Sequence, residues 1–134
     1  MLDPYSALIY TMVIVSAADR DMTDDELQII GDVVARLPVF REFNREHLPE
    51  VLRACTRLLG RENGLDEAFV AIKAALPANL RETAYAIACD VAAADGEASQ
   101  EELRVLEMMR DRFDIDRLVA AAIERGARAR FQSL

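Results

Sequence analysis

Apolar residues recur along this chain at helical rather than strand spacing. Asp3 followed by Pro4 has the form of an N-cap with proline in the first helical position, and the run behind it is apolar almost without break to about Ala18. Thr23 with Glu26 and Ser99 with Glu102 each match a capping box, in which the hydroxyl accepts from a backbone N–H and the glutamate reaches back to the cap. The helix after the first box places Leu27, Ile30, Val34 and Leu37 at a spacing near 3.6; the helix after the second places Leu103, Leu106 and Phe113 in the same way. Further helical patterns run from about His47 to Arg61, Asp66 to Leu76 and Leu80 to Ala94. The first stops at Asn63-Gly64 and the second at Pro77. A last helix, about Ile115 to Arg125, takes Asp114 as its cap and Gly126 as its stop. No stretch alternates for long enough to make a sheet, so the pattern predicts an all-α bundle of about seven helices.

The chain repeats itself at an offset of 76 residues. Val15-Ser-Ala-Ala-Asp-Arg-Asp-Met-Thr-Asp-Asp-Glu-Leu27 aligns without gaps to Val91-Ala-Ala-Ala-Asp-Gly-Glu-Ala-Ser-Gln-Glu-Glu-Leu103. Two copies at this period are too few and too long for a solenoid, which predicts one domain over 1–134 with a pseudo-twofold repeat, copies about 4–37 and 80–113. In each copy a nearly all-apolar helix precedes an acidic turn and an amphipathic helix follows it. Helices apolar on every side must be buried, so the segments Pro4 to Ala18 and Leu80 to Ala94 are expected to cross at the centre, with Ala86, Ala88 and Ala92 permitting a close approach.

Composition narrows the function classes. The 134 residues are 52% hydrophobic and 30% charged with five Gly and four Pro, which excludes a disordered chain. A net charge of −8 argues against nucleic acid as a partner, because phosphate neutralisation needs clustered Lys and Arg. The start Met-Leu-Asp-Pro carries no basic n-region, and the first apolar run is shorter than a membrane span, so the expected location is the cytoplasm. Cys55 and Cys89 lie in apolar helical segments and read as reduced core thiols. His47, alone, is assigned no role. Met12, Met22, Met108 and Met109 read as core filler rather than an adaptable groove. The arginines from Arg125 onward read as a solvated tail, the alternative being contact with a membrane or an acidic partner.

The acidity is concentrated in two equivalent turns. Residues 16–32 and 90–102 each carry a formal charge of −5, leaving +2 for the remainder. Hard divalent cations take carboxylate and hydroxyl oxygens, which Asp19, Asp21, Thr23 and Glu26 offer in the first turn and Asp95, Glu97, Ser99 and Glu102 in the second. These eight residues are the candidate ligands for Ca²⁺ or Mg²⁺. An EF-hand is rejected: Asp24 and Gln100 stand where its glycine is required, and Ile30 and Leu106 where its bidentate glutamate belongs. Capping alone accounts for Thr23, Glu26, Ser99 and Glu102. It does not account for Asp19 and Asp95, whose charge at the end of the preceding helix opposes the macrodipole. A cation, an arginine or tight turn hydrogen bonding would each offset that cost.

The duplicated pattern Ala-Ala-Asp-x-Asp/Glu-x-Thr/Ser-x-x-Glu-Leu between an apolar and an amphipathic helix resembles the tellurite-resistance TerB-like family, from about Ala7 to Glu124, with the second copy, Ala93 to Leu103, the closer match. It is also similar to the N-terminal domain of a DnaJ-like membrane co-chaperone. The resemblance implies a small all-α fold and a bacterial, cytoplasmic, stress- and tellurite-resistance-associated protein. It also implies metal binding or scaffolding near the membrane, without established catalysis. The family's acidic positions fall on Asp19, Asp21, Glu26, Asp95, Glu97 and Glu102; Arg20 departs from the pattern where glycine is common. The expected function is a non-enzymatic module binding a divalent cation or a protein partner through its acidic turns. The alternatives are an adaptor or homo-oligomerisation module without metal, and a hydrolase or isomerase with Asp19 and Asp95 as acid and base. The sequence supplies no nucleophile, oxyanion donor or cofactor loop for the last, so no catalytic residue is assigned.

Overall fold

A computed structural model describes residues 1–19, 22–94 and 96–134. They form seven α-helices: α1 Pro4–Ser16, α2 Asp24–Arg36, α3 Leu48–Leu59, α4 Gly64–Ala75, α5 Arg81–Ala93, α6 Gln100–Arg112 and α7 Arg117–Arg130. Short 3-10 turns occupy Pro38–Phe40, Arg45–His47 and Ala78–Leu80, and no strand occurs among the described residues. Helices α2 and α6 begin and end 76 positions apart, as the repeat requires.

Helix α1 starts where Asp3 accepts from the Ser6 amide at 2.9 Å. Every residue from Ser6 to Ser16 is buried, because α3, α4 and α5 all pack on α1. Burying Ile9, Met12 and Ile14 in this way stabilises the fold by roughly 1.5–3 kcal/mol per side chain. Thr11 is satisfied at no tertiary cost by donating to the Leu8 carbonyl at 2.6 Å. Tyr5, Phe40 and Phe43 close one end of the helix as an aromatic cluster with centroids 5.4–6.1 Å apart.

The most extensive helix contact is α1 against α5, as the repeat predicts. Ala88 and Ala92 are buried, but Ala86 is only half-buried and Glu82 is exposed. Helix α5 is packed by α1, α2, α6 and α7, yet its stripe of Glu82, Ala86 and Asp90 stays at least partly open where the aligned stripe of α1 is buried. Cys55 and Cys89 are free, buried thiols, each pushed up to about 12 by burial, so neither is a reactive thiolate at neutral pH. Met12 and Met109 are buried, and Met22 and Met108 pack partly buried against the core.

Three boundaries differ from the sequence expectation. Helix α4 begins at Gly64, two residues before Asp66, because Asn63 adopts φ 62° and turns the chain sharply. A Cβ at Gly64 would lie 2.1 Å from the Leu58 carbonyl oxygen, so only glycine fits there. The cap of α7 is Asp116, which accepts from Leu118 and Val119 amides, while Asp114 takes φ 55° and terminates α6. Helix α7 then runs through Gly126 to Arg130: Ala127 is buried and Arg130 pairs with Asp90, so tertiary contacts outweigh the glycine's propensity cost. The C-terminal arginines are thus a docked helix rather than a solvated tail. Among the described residues, no helix is long and apolar enough to cross a membrane.

Candidate acidic site at the paired helix starts

Both capping boxes form. The Thr23 amide donates to Glu26 Oε1 at 3.0 Å and the Glu26 amide donates to Thr23 Oγ1 at 3.1 Å. The Ser99 amide donates to Glu102 Oε1 at 2.9 Å and the Glu102 amide donates to Ser99 Oγ at 3.1 Å. What distinguishes these boxes from surface caps is depth. Glu26 is 1% exposed and Glu102 2% exposed, the only charged residues among the buried polar side chains described. Each spends Oε1 on its cap. Glu102 Oε2 is buried without a hydrogen-bond partner, as is Ser16 Oγ near the end of α1.

An unpartnered buried carboxylate oxygen is costly, and the electrostatics of Glu102 record it. Its carboxyl is pushed up to about 8, first by burial, then by a hydrogen bond shared with the Glu26 carboxyl and, more weakly, by the charges of Glu26 and Asp19, against the lowering effect of the Ser99 amide. The structure therefore brings Glu102, Glu26 and Asp19 into one electrostatic neighbourhood, drawn from both copies of the repeat. Two carboxyls in such a setting can share a proton or hold a cation between them. Among the described residues, no three ligating side chains alone enclose an ion.

Of the other predicted ligands, Thr23 and Ser99 use their hydroxyl oxygens as caps. Glu97 is exposed on the second loop. Asp21 and Asp95 lie outside the described residues. The second loop turns at Gly96, whose φ of 97° favours glycine; the aligned position in the first copy is Arg20, also outside the described residues.

Sequence reasoning placed Leu27 and Leu103 on the buried faces of α2 and α6 and treated the glutamates before them as local caps. The faces are rotated by one residue: Leu27 and Leu103 are 43% and 47% exposed, and Glu26 and Glu102 point inward. The signal was present in the spacing. Glu26, Ile30 and Val33 follow one helical stripe, as do Glu102, Val105, Leu106 and Met109, and all are buried.

A second polar cluster in the fold is internally matched. Tyr85 donates to Glu124 Oε2 at 2.5 Å and Arg110 reaches the same oxygen at 2.6 Å, tying α5, α6 and α7 together. The Tyr85 hydroxyl is raised by burial and by that carboxylate, which holds it as a donor. His47 sits exposed at the start of α3 and makes no capping hydrogen bond.

Neither the curated proteins nor the solved structures yield a match to this chain. The family described as Tellurite resistance protein TerB matches residues 5–125, a span that contains both acidic turns and all but the end of α7. The two-copy helical architecture and this match across most of its length agree: the chain belongs to the tellurite-resistance-associated TerB family.

Proposed function

We propose that this TerB-family chain is a non-enzymatic module that binds one divalent cation between the starts of α2 and α6, with Glu26 and Glu102 as the central pair of ligands and Asp19 joining them when the ion is bound. The observation that carries the reading is the meeting of two buried carboxyls, Glu26 and Glu102, one from each copy of the repeat, with no other donor reaching Glu102 Oε2. Removing a carboxylate from water is unfavourable by several kcal/mol unless a counter-charge is close, and a cation held by both glutamates supplies one. The oxygen-only donor set suits Ca²⁺ or Mg²⁺ over softer ions. Asp95, the repeat partner of Asp19, and water are the ligands that would complete the shell; Asp21 and Glu97 belong to the same two acidic stretches of sequence.

Calorimetric titration of chelator-treated protein with Ca²⁺, Mg²⁺, Mn²⁺ and Zn²⁺ tests this, beside Glu102→Gln and the Asp19→Asn/Asp95→Asn double variant. The expected result is saturable binding in the unmodified chain, lost in both variants with helix content intact. Because Glu102 holds its proton up to about pH 8, binding near neutral pH should release that proton, making the heat depend on the buffer's ionisation enthalpy. No heat and no change in melting temperature with any ion would overturn the reading.

A protein-partner reading has its own support. Leu27 and Leu103, at equivalent positions beside the two capping glutamates, are both exposed, so each acidic helix start also offers an apolar side chain. A partner joining basic and apolar groups fits that surface, as does a second copy of the chain. Sedimentation with and without cation, on Leu27→Ser/Leu103→Ser, separates self-association from cation binding.

A further inference from the structure

The far end of α2 carries the opposite charge. Arg36, Arg41 and Arg45 line one cleft of about 340 Å³, together with Leu37, Phe40 and Phe43, and no carboxylate lines it. Among the described residues none of the three arginines has an ion-pair partner. Glu42 and Glu46, their neighbours in sequence, are exposed and outside the lining. In a chain of net charge −8, three unneutralised guanidiniums on one concavity call for a cause.

The internal repeat provides the control. Arg36 ends α2 as Arg112 ends α6, at matched positions. Arg112 is neutralised by Asp66 at 2.7 Å, Arg110 two residues earlier by Glu124 at 2.6 Å, and the residue that follows α6's cap, Asp114, takes Lys73 at 3.2 Å. The second copy therefore pairs Arg110 and Arg112 within the fold while Arg36 stays open. Arg117, aligned with Arg41, likewise has no ion-pair partner among the described residues, so the contrast rests on Arg36 and on the three arginines sharing one cleft. The helix dipole accounts for Arg36, in the last turn of α2. It does not account for Arg41 and Arg45, which lie beyond that helix.

We propose that this cleft binds the diphosphate group of a small phosphate ester. Planar guanidiniums match phosphate oxygens in bidentate fashion, three of them match a multiply charged anion better than a single carboxylate, and the cleft volume is at the lower end of small-molecule sites. The site is independent of the acidic turns, which lie at the opposite end of α2.

The probe is inorganic pyrophosphate, titrated calorimetrically into chelator-treated protein at low and moderate salt. Arg41→Gln/Arg45→Gln is compared with Arg125→Gln/Arg128→Gln, which changes net charge equally on α7. Saturable binding that the first pair weakens by about tenfold or more, and the second leaves within about twofold, is the expected result. No saturation, or an equal loss in both pairs, overturns the proposal. Phosphatidylcholine vesicles carrying phosphatidic acid identify the source of the phosphate. Co-sedimentation competed by pyrophosphate assigns the cleft to a lipid headgroup, and pyrophosphate binding without co-sedimentation assigns it to a soluble ester. Vesicle binding that pyrophosphate does not compete also overturns it.

Discussion

The two copies of the repeat share their helix starts and differ in almost everything that surrounds them. Thr23 with Glu26 and Ser99 with Glu102 form the same two hydrogen bonds, at 3.0 and 3.1 Å in one box and 2.9 and 3.1 Å in the other. Their flanking helices have separate fates. Helix α1 is buried along its length, whereas the aligned stripe of α5 replaces Ser6, Tyr10 and Ile14 with Glu82, Ala86 and Asp90 and is partly open. At the far ends, Arg110 and Arg112 in the last turn of α6 are paired within the fold, whereas Arg36, in the last turn of α2, has no ion-pair partner among the described residues. Local backbone geometry at the acidic site has been kept in duplicate while the packing around it diverged, which is the pattern expected where the paired glutamates act together and their supports act separately.

The strongest way to break the comparison is in the core. Ile14→Ala, at a position 2% exposed, should destabilise by about 2–5 kcal/mol in urea unfolding, since α3, α4 and α5 cannot all collapse onto the cavity. The aligned Asp90→Ala removes only a partly exposed pair with Arg130 and should cost less than about 1 kcal/mol. Equal costs would mean that α5 is as enclosed as α1.

Next in size is the charge of Glu102. In the unfolded chain its carboxyl ionises near 4.5, and in the folded, metal-free protein near 8, so between these values the folded state binds the extra proton. Stability should therefore fall as pH rises from about 4.5 to about 8 through this group, and be unaffected by it below that window. Glu102→Gln keeps an oxygen for the Ser99 amide and offers an N–H to Glu26, so at pH 8 and without metal it should stabilise by roughly 1–4 kcal/mol. A saturating divalent cation should flatten the same pH dependence in the unmodified chain. Thermal melts across pH, with chelator and with cation, read both effects; a variant no more stable than the parent at pH 8 would remove the buried-charge argument.

The helices and both capping boxes were legible in the sequence because they are set by residues three or four positions apart. The inward turn of the glutamates was not, because Leu27 and Leu103 offered an equally regular apolar stripe and burial of a charge is decided by the opposite copy, 76 residues away. The cap of α7 was misplaced from Asp116 to Asp114 because both are aspartates ahead of the same apolar run, and only the positive φ of Asp114 separates them. Gly126 resembled a helix stop; the burial of Ala127 beside it is a tertiary fact. The arginine cleft was likewise invisible, since an unpaired arginine is defined by partners elsewhere, such as Asp66, 46 residues from Arg112.

The caps themselves give a smaller and more symmetrical effect. Thr23→Ala and Ser99→Ala should each cost about 1 kcal/mol, within the 0.5–2 kcal/mol range of N-cap removal, and the two values should agree if the boxes are equivalent. A markedly larger loss at Ser99 would show that its hydroxyl, by accepting from the Glu102 amide, also holds the Glu102 carboxyl within reach of the Ser99 amide that lowers it. Chemical denaturation at pH 5, where Glu102 is protonated, separates the capping loss from the charge effect.

The smallest effect concerns the helix ends and carries the most information about the cleft. Asp66 and Arg112 are substantially exposed, so a double-mutant cycle on Asp66→Asn and Arg112→Gln should return a coupling of only about 0.2–1 kcal/mol, reduced further by salt. Arg36, at the aligned position, has no such partner, and Arg36→Gln should leave stability unchanged apart from a few tenths of a kcal/mol of helix-dipole interaction. The comparison sharpens when pyrophosphate is added. If Arg36 is held open for an anion, the ligand should raise the melting temperature of the parent and not of Arg36→Gln, while Arg112→Gln should respond as the parent does. A response that follows Arg112 instead would mean that the paired end of the repeat, not the open one, is where the phosphate binds.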